Sequence, residues 1–323
     1  MTETNLSQVL AAAYGAAGGD QVGTEHLLLA LTGRAGRTAD AALDAAEVTR
    51  TVVVGVRQAR GDGWRSADAT EPDPAGPPLG RAEWYVEPRK PMNYRPAARR
   101  AMQHATTTAR AAGRSEPGPE DILLGLLDDE ENRAVELLGA CGVDLPALRW
   151  AVETGRPRVV PDRVEEHLRP TRDRLLGRRP FRAQGLYARL FQLLPVHVNY
   201  AAAPVLWARL EAKELARELG RRRAGSEHLL LAFLAVHEVA RHYPHLTGDS
   251  AARYAPDDPT IAGLHFHQIR AAVLAAGDEL GADRRSVDDY TRGDGRPQES
   301  GPVLRALLTD DSRAARLVAA RRS

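Results

Sequence analysis

The distribution of apolar and polar residues along the chain predicts helices almost throughout. Alanine and leucine supply most of the apolar positions, and both are strong helix formers. Runs rich in Val, Ile and Thr, which are typical of strands, are almost absent. The one candidate, TVVVGV at 51–56, lies inside a helical pattern. We therefore predict an all-α fold.

One phrase recurs three times and indicates a repeated structural unit. It appears as VGTEHLLLAL at 22–31, PGPEDILLGLL at 117–127 and AGSEHLLLAFL at 224–234. An alanine-rich helical pattern precedes each copy and ends at a glycine, the residue expected just past a helix end: Gly18, Gly113 and Gly220. A polar turn and a further short helix follow each copy. A fourth, degenerate copy without the glutamate closes the chain.

These repeats divide the 323 residues into two domains, in agreement with the usual domain size. Residues 61–91 are dense in Gly, Pro and Asp and are expected to form an irregular loop. The stretch 186–198 is apolar enough for an amphipathic helix that packs against the second domain. The predicted organisation is a domain at 1–155 with repeats at about 6–60 and 94–153, an Arg-rich linker and helix at 156–195, and a divergent domain at 196–323 with repeats at about 196–250 and 262–323.

Each repeated phrase has the composition of a capped amphipathic helix start. Thr24 and Ser226 are expected to be N-caps that accept hydrogen bonds from first-turn amides. The glutamate that follows each is stabilised by the positive end of the helix. In the second repeat, Asp144 is the predicted N-cap of a further helix, with Pro146 in its first turn. A capped helix accounts for these residue types without any ligand.

Composition narrows the cellular location of the protein and the kinds of binding site that it can carry. The formal net charge is +1, which creates no global field for a nucleic acid or a membrane. Neither of the two lysines, Lys90 and Lys213, follows a glycine, so no phosphate-binding P-loop is present. A single cysteine, Cys141, favours a reducing compartment. The first residues do not resemble a secretory signal, and no apolar run reaches membrane-spanning length. We expect a cytoplasmic protein without a cofactor or a metal.

The order of these features resembles a known family. An alanine-rich helix, then G-T-E-H-[LI]-L-L-[AG]-L, an acidic turn, a helix and GVDLPALR are similar to the tandem-repeat N-terminal domain of Clp-type unfoldases, called Clp N or Clp R. Residues 94–153 match best. The resemblance implies two pseudo-symmetric Clp N-like domains, each of two roughly four-helix repeats with the last repeat degenerate. The ATPase modules of the unfoldases have no counterpart in this sequence.

The resemblance implies recognition without catalysis. In ClpC-type unfoldases this domain docks adaptors and substrates, and some members bind phosphorylated arginine or cyclic peptide antibiotics. The glutamate of each phrase there pairs with a guanidinium, and a threonine in an aromatic-Thr-Pro start contacts the phosphate. By position, the implied ligand-binding residues are Glu25, Glu120, Thr24, Tyr94, Arg95, Glu227 and Ser226.

This sequence departs from the family at the phosphate contact. The second repeat has Arg95 before its proline, and an arginine can still reach a phosphate, whereas the third repeat has Ala201, which cannot. The resemblance therefore supports phosphoarginine binding at the first domain more than at the second. The implied partners are the Clp machinery, its protein substrates, arginine-phosphorylated peptides or cyclic peptides. The chain would act as an adaptor, a regulator or a decoy.

Two alternatives remain open. Residues 156–182 hold nine Arg against two Asp and two Glu, which suits an Arg-rich nucleic-acid-associated regulator, but no zinc finger or RNA-binding motif accompanies them. A solvated charged helix explains them equally well. The weaker alternative is a histidine-based metalloenzyme. His237 and His242 lie five residues apart, about 140° around a helix, so they do not share a face, although His265 and His267 are also available.

Overall fold

The computed structural model describes residues 6–18, 21–32, 37–61, 63–66, 68, 85–87, 90–91, 93–157, 161–182, 198–254, 261–276, 279–293 and 298–322. The described part contains sixteen α-helices, three short 3-10 helices and one two-stranded hairpin. The all-α prediction is confirmed, and TVVVGV lies within a helix. The chain divides into two compact units, Met1–Pro161 and Asp162–Ser323.

The first unit consists of two sets of four helices with the hairpin between them. The first set is α1 (Leu6–Ala16), α2 (Thr24–Leu31), α3 (Arg37–Ala45) and α4 (Arg50–Arg60). The hairpin strands are β1 (Tyr85–Glu87) and β2 (Lys90–Pro91). The second set is α5 (Pro96–Ala111), α6 (Pro119–Leu127), α7 (Arg133–Ala140) and α8 (Leu145–Thr154).

Glycines end the long first helix of three repeats as predicted. Gly18, Gly113 and Gly220 follow their helices with φ angles of 66°, 75° and 76°. These angles belong to the left-handed region, where only glycine avoids a clash of its side chain with the backbone. The predicted cap of α8 is also confirmed, since the Asp144 carboxylate accepts from the Ala147 amide at 3.0 Å.

The two sets of helices in the first unit pack with pseudo-twofold symmetry. The second helices, α2 and α6, contact each other at the centre. The third helix of each set contacts the fourth helix of the other, so that α3 packs on α8 and α7 packs on α4. Leu28, Leu31, Met102 and Ile122 are fully buried between them. The leucine-rich phrases therefore form the centre of the core.

A short backbone pairing joins the two repeats next to the start of α2. The Val22 amide donates to the Asn93 carbonyl at 2.8 Å, and the Arg95 amide donates to the Val22 carbonyl at 2.9 Å. The residue that precedes α5 is thereby held beside the residue that precedes α2. This pairing places Arg95 near Glu25, although 70 residues separate them.

The prediction of an irregular loop at 61–91 is wrong in part. Tyr85–Glu87 and Lys90–Pro91 form an antiparallel pair of strands. Asp68 is 2 % exposed and is hydrogen-bonded to the start of α2. A stretch rich in Gly and Pro has no periodic signal for the strands, and the contact of Asp68 depends on a partner 44 residues away.

The second unit starts at Asp162, within the stretch expected to be a linker and helix. Its α-helices are α9 (Arg169–Leu175), α10 (Pro204–Glu218), α11 (Ser226–His242), α12 (Pro244–Thr247), α13 (Phe266–Ala276), α14 (Val287–Tyr290), α15 (Ser300–Thr309) and α16 (Arg313–Arg322). The 3-10 helices are Glu166–Leu168, Tyr200–Ala202 and Gly248–Tyr254. The predicted helix at 186–198 lies, except for Val198, outside the described residues.

Helix α11 is the centre of the second unit. It contacts α10 as α2 contacts α1, and it also contacts α16, α13 and α15. Where the first unit has two helices after α2, the described residues between α11 and α13 form α12 and the 3-10 segment Gly248–Tyr254. The third repeat is therefore modified after its second helix.

A buried ion pair holds the Arg-rich segment in the second unit. The Arg174 guanidinium donates to both carboxylate oxygens of Glu211 at 3.1 and 2.9 Å, and the Thr171 hydroxyl donates to the same carboxylate at 2.8 Å. Burial raises the pKa of Glu211 to about 7, against the opposing effect of Arg174. Part of the expected linker is thus integrated into the core of this unit.

Candidate functional site

The start of α2 is capped by its glycine and histidine. Gly23 has extended backbone angles, and its amide donates to His26 Nδ1 at 3.0 Å. The prediction that Thr24 is the N-cap is wrong, because Gly23 occupies that position and Thr24 is the first helical residue. The same correction applies to Ser226, which follows the N-cap Gly225.

The hydroxyl of Thr24 instead joins the two repeats. It donates to the Asp68 carboxylate at 3.1 Å and accepts from the Ala134 amide at 3.1 Å. Ala134 lies in the first turn of α7, where amides have no partner within their own helix. A residue of the first repeat therefore caps a helix of the second. Burial raises the pKa of Asp68, and the charge of Glu25 adds to this effect.

The carboxylate of Glu25 is buried and paired with arginines of its own chain. Its Oε1 accepts from Arg95 Nη1 at 3.3 Å and from Arg133 Nη1 at 3.1 Å, and only 3 % of the residue is exposed. Its Oε2 rests so close to Gly23 that a β-carbon at that glycine would overlap it. The glycine of the phrase thus makes room for the carboxylate. The guanidinium contact implied by the family resemblance is already made within the chain.

A cavity of about 350 Å³ opens beside this carboxylate. Arg57, Arg95, Arg133 and Trp64 line it together with Glu25. The Arg133 guanidinium lies over the Trp64 ring, 4.9 Å from its centroid. The cavity wall therefore carries three guanidiniums and one carboxylate.

The charge of this wall acts on His26, which also lines the cavity. Burial lowers the pKa of His26, and the three guanidiniums lower it further, while Glu25 opposes them. Nδ1 accepts from the Gly23 amide, so the ring is neutral, with its proton on Nε2.

The second unit repeats this arrangement at the start of α11. The Ser226 hydroxyl donates to Asp283 at 2.6 Å and accepts from the Ala314 amide at 2.9 Å. Glu227 Oε1 lies 2.9 Å from Arg313 Nε. The Gly225 amide donates to His228 Nδ1 at 3.2 Å. The hydroxyl bridge, the pairing with one arginine and the histidine cap therefore have counterparts in the second unit, whereas the second ion pair of Glu25, with Arg95, has none among the described residues.

The start of α6 differs from the starts of α2 and α11. Its cap is formed by the Gly118 amide, which donates to the Asp121 carboxylate at 2.7 Å, and Arg114 pairs with the same carboxylate. Pro119 stands where α2 has its threonine, so no hydroxyl bridges to the other repeat. Glu120 is half-buried in the first turn. In the described part of the chain no hydrogen bond or ion pair engages its carboxylate.

Tyr94 belongs to the packing rather than to an open surface. It is 6 % exposed, and burial raises the pKa of its hydroxyl. Its backbone pairs with that of Val22, and its buried side chain anchors the chain at this pairing. Arg95, the next residue, points its guanidinium into the cavity beside Glu25.

Sequence reasoning missed the residues that surround the predicted ones. Arg133 and Arg313 stand in corresponding triplets, NRA at 132–134 and SRA at 312–314, so the repeat alignment carried a usable signal for them. Asp68 and Asp283 lie in stretches without periodicity, and no signal distinguishes them from neighbouring acidic residues. Arg57 lies in the last turn of α4, where a basic residue is ordinary.

His237, a candidate of the metalloenzyme hypothesis, and the single cysteine, Cys141, are both buried in the packed interior. His237 packs edge-on against Phe233 and Tyr254. Cys141 is buried. Among the described residues, no three ligating side chains are grouped so as to hold a metal. No helix in the described segments has the length and apolar composition needed to cross a bilayer.

Several arginines of 156–182 are paired within the second unit. Arg169 and Arg172 each donate to Asp162 at 2.7 Å. Arg174 is held by Glu211, and Arg179 lies 3.6 Å from Glu218. These pairs neutralise part of the charge that a nucleic acid would need.

Comparison with known proteins identifies one part of the chain. The model of the Clp repeat (R) N-terminal domain family matches residues 93–175. This match confirms the resemblance over the second repeat, and it extends beyond that repeat to the end of α9. No curated protein matches the sequence.

Proposed function

We propose that this chain is a non-catalytic, cytoplasmic protein that recognises polypeptide in Clp-dependent proteolysis, as an adaptor, a regulator or a decoy. The match of residues 93–175 to a domain that mediates protein interactions in the Clp machinery supports a role in recognition. The observation that carries the choice of site is the carboxylate of Glu120. It lies at the start of α6, within the matched range, and no hydrogen bond or ion pair of the described chain engages it, although the nearby Arg114, which is bound to Asp121, interacts with it electrostatically.

The proposed ligand is an arginine side chain of a client, free or phosphorylated. A guanidinium matches a carboxylate through paired N–H donors. Glu25 and Glu227 occupy the same position in their repeats, but Arg133 and Arg313 already contact them. Glu120 is therefore the principal contact among the three predicted glutamates.

A titration of the full chain with an arginine-phosphorylated peptide and its unphosphorylated form tests this site. Glu120→Gln should weaken binding about tenfold or more, because a lost charge-assisted contact costs on the order of 1.5–3 kcal/mol. The matched control is Glu116→Gln, which removes the same charge from an exposed position just before α6. Equal affinity of the Glu120→Gln variant and the unaltered chain would refute the assignment.

The role itself is tested with a purified ClpC-type unfoldase and its peptidase. Faster degradation of a reporter client in the presence of the chain supports an adaptor. Slower degradation that excess client restores supports a decoy, and an altered ATPase rate without client supports a regulator. No effect on any of the three would reject a role in this machinery.

A further inference from the structure

A small cavity lies at the C-terminal end of α11, within the second unit. Its volume is about 180 Å³, and its walls come from α11, α12 and the 3-10 segment Gly248–Tyr254. Ala240, Pro244 and Ala251 give it an apolar lining, and the last two are exposed, so the cavity is reached from solvent. An apolar cavity of about 150 Å³ is enough for a ring the size of benzene. The cavity therefore has room for one apolar side chain.

Two buried rings form the inner side of this cavity. His237 is 6 % exposed and Tyr254 is 5 % exposed. Their ring centroids lie 5.3 Å apart in an edge-on arrangement. The Tyr254 hydroxyl donates to the Ala201 carbonyl at 2.7 Å, which fixes the phenol ring in place. The packing of these rings gives the cavity a defined shape before any ligand enters.

Arg241 adds a positive charge to the apolar cavity. It lines the cavity and is exposed, and among the described residues no hydrogen bond or ion pair engages its guanidinium. No acidic residue lines the cavity with it. A basic residue in the last turn of a helix is ordinary, but this one stands next to an apolar cavity. Because a guanidinium pairs with a carboxylate through two parallel N–H donors, the complementary ligand is an apolar group that carries a carboxylate.

The cavity also offers one hydrogen-bond acceptor. Thr247 lines it, and its hydroxyl donates to the Pro244 carbonyl at 2.9 Å, so the oxygen can still accept a hydrogen bond. The last residue of a polypeptide combines an apolar side chain, where it has one, with a carboxylate and an amide N–H. We propose that this cavity binds the apolar carboxyl-terminal residue of a polypeptide, with Arg241 at the carboxylate and Thr247 at the amide.

This ligand differs from the arginine side chain proposed for Glu120. The cavity lies in the second unit and complements an anion, whereas Glu120 lies in the first unit and complements a cation. Glu120→Gln should therefore leave binding at the cavity unchanged. Failure of one proposal would not imply failure of the other, because each responds to its own substitution and its own peptide.

Calorimetric titration of the full chain with a hexapeptide that ends in leucine tests the proposal. The same peptide with a carboxyl-terminal amide should bind about tenfold more weakly or less, because it loses the ion pair with Arg241. The same peptide ending in serine should also bind more weakly, because it leaves the apolar cavity unfilled. Equal affinity for the acid and the amide, or no binding of the leucine peptide at millimolar concentration, would overturn the proposal.

A small acid distinguishes a polypeptide end from a metabolite. 4-Methylpentanoate carries the side chain and carboxylate of leucine without the amide N–H. Weaker binding of this acid than of the leucine peptide supports recognition of a polypeptide end. Binding as tight as that of the peptide would overturn the proposal in favour of a small apolar acid.

Two arginine variants separate the proposed ion pair from general charge attraction. Arg241→Gln should weaken binding of the leucine peptide about tenfold or more. It should fold normally, because the side chain is exposed and holds no partner in the described segments. Arg222→Gln is the matched control, since it removes the same charge from an exposed position in the loop before α11. Equal weakening in both variants, or none in Arg241→Gln, would overturn the proposal.

Two alanine variants test whether the cavity itself is the site. Ala251→Leu adds a side chain at the exposed edge of the cavity and should abolish binding of the leucine peptide by filling the space. Ala252→Leu makes the same change at the next exposed position, which does not line the cavity, and should bind normally. Circular dichroism checks that both variants fold. Retained binding in a folded Ala251→Leu variant would overturn the proposal.

Discussion

The two helix starts of the first unit, at Glu25 and at Glu120, share one sequence phrase and differ in what surrounds the carboxylate. Glu25 is buried between Arg95 and Arg133, and its neighbour Thr24 bridges the two repeats. Glu120 is half-buried without such pairing in the described chain, and its neighbour is a proline. The comparison teaches that a repeated glutamate has a structural role where an arginine of the other repeat reaches it. Where none does, as at Glu120, the carboxylate has no ion pair in the described chain, and this is the basis of the ligand contact proposed above.

The second unit supports this interpretation. Its Ser226 and Glu227 make the contacts of Thr24 and Glu25, to Asp283, Ala314 and Arg313. A serine replaces the threonine, yet the hydroxyl keeps both bonds. The paired glutamate is thus a recurring structural device of this chain.

The largest expected difference between the two starts is in stability. Glu25→Gln should lower the free energy of unfolding by about 2–3 kcal/mol, because it leaves two arginines without their carboxylate. Glu120→Gln should change it by less than about 0.5 kcal/mol. Urea unfolding followed by circular dichroism measures both variants. Equal losses would remove the distinction between the two carboxylates.

Substitution of the glycine before each glutamate should also destabilise the chain more at Gly23 than at Gly118. Gly23→Ala places a β-carbon against the buried carboxylate of Glu25 and should cost about 2 kcal/mol of stability through overpacking. Gly118→Ala meets Glu120 at 3.0 Å, where a half-exposed side chain can move, and should cost about 1 kcal/mol or less. Thermal unfolding of both variants checks this order, and a greater loss at Gly118 would contradict it.

Loss of the hydrogen bond between the Thr24 hydroxyl and the Ala134 amide should have a smaller effect on stability, centred on the start of α7. Thr24→Val keeps the shape but removes the acceptor for the Ala134 amide, and should cost about 1–2 kcal/mol. Hydrogen exchange should accelerate at Ala134. The Val135 amide, which donates to Asn132 at 2.9 Å, serves as the internal control. Unchanged exchange at Ala134 would show that the bridge contributes nothing.

The smallest effect concerns pH. The pKa of His26 is lowered in the folded chain by burial and by the nearby arginines. Its contribution to stability is therefore complete above the ordinary value of 6.5 and is lost as the pH falls through the folded pKa. At the start of α6, the residue in the position of His26 is Asp121, whose carboxylate accepts from the Gly118 amide.

Substitution isolates this contribution. His26→Gln retains an acceptor for the Gly23 amide but does not titrate. Stability of the variant should fall less steeply between pH 7 and pH 5 than that of the unaltered chain. Parallel profiles would exclude His26 as the source.

Local features made much of the fold predictable. The leucine-rich phrases, the terminal glycines and the Asp144 cap act within a few residues, so each helix could be inferred from its own stretch. The loop at 61–91 and the assignment of Thr24 and Ser226 as caps could not be predicted correctly. Asp68 acts across 44 residues, and the hydroxyl of Thr24 acts across 110.

The sequence by itself determined that this is a repeated, all-helical chain and which three glutamates stand at equivalent helix starts. Only the tertiary structure decided which of them are paired with arginines. The physical reason is the distance along the chain over which each kind of interaction acts. Helix propensity and capping act between neighbours, whereas the environment of a carboxylate depends on arginines such as Arg133, which lies 108 residues from Glu25.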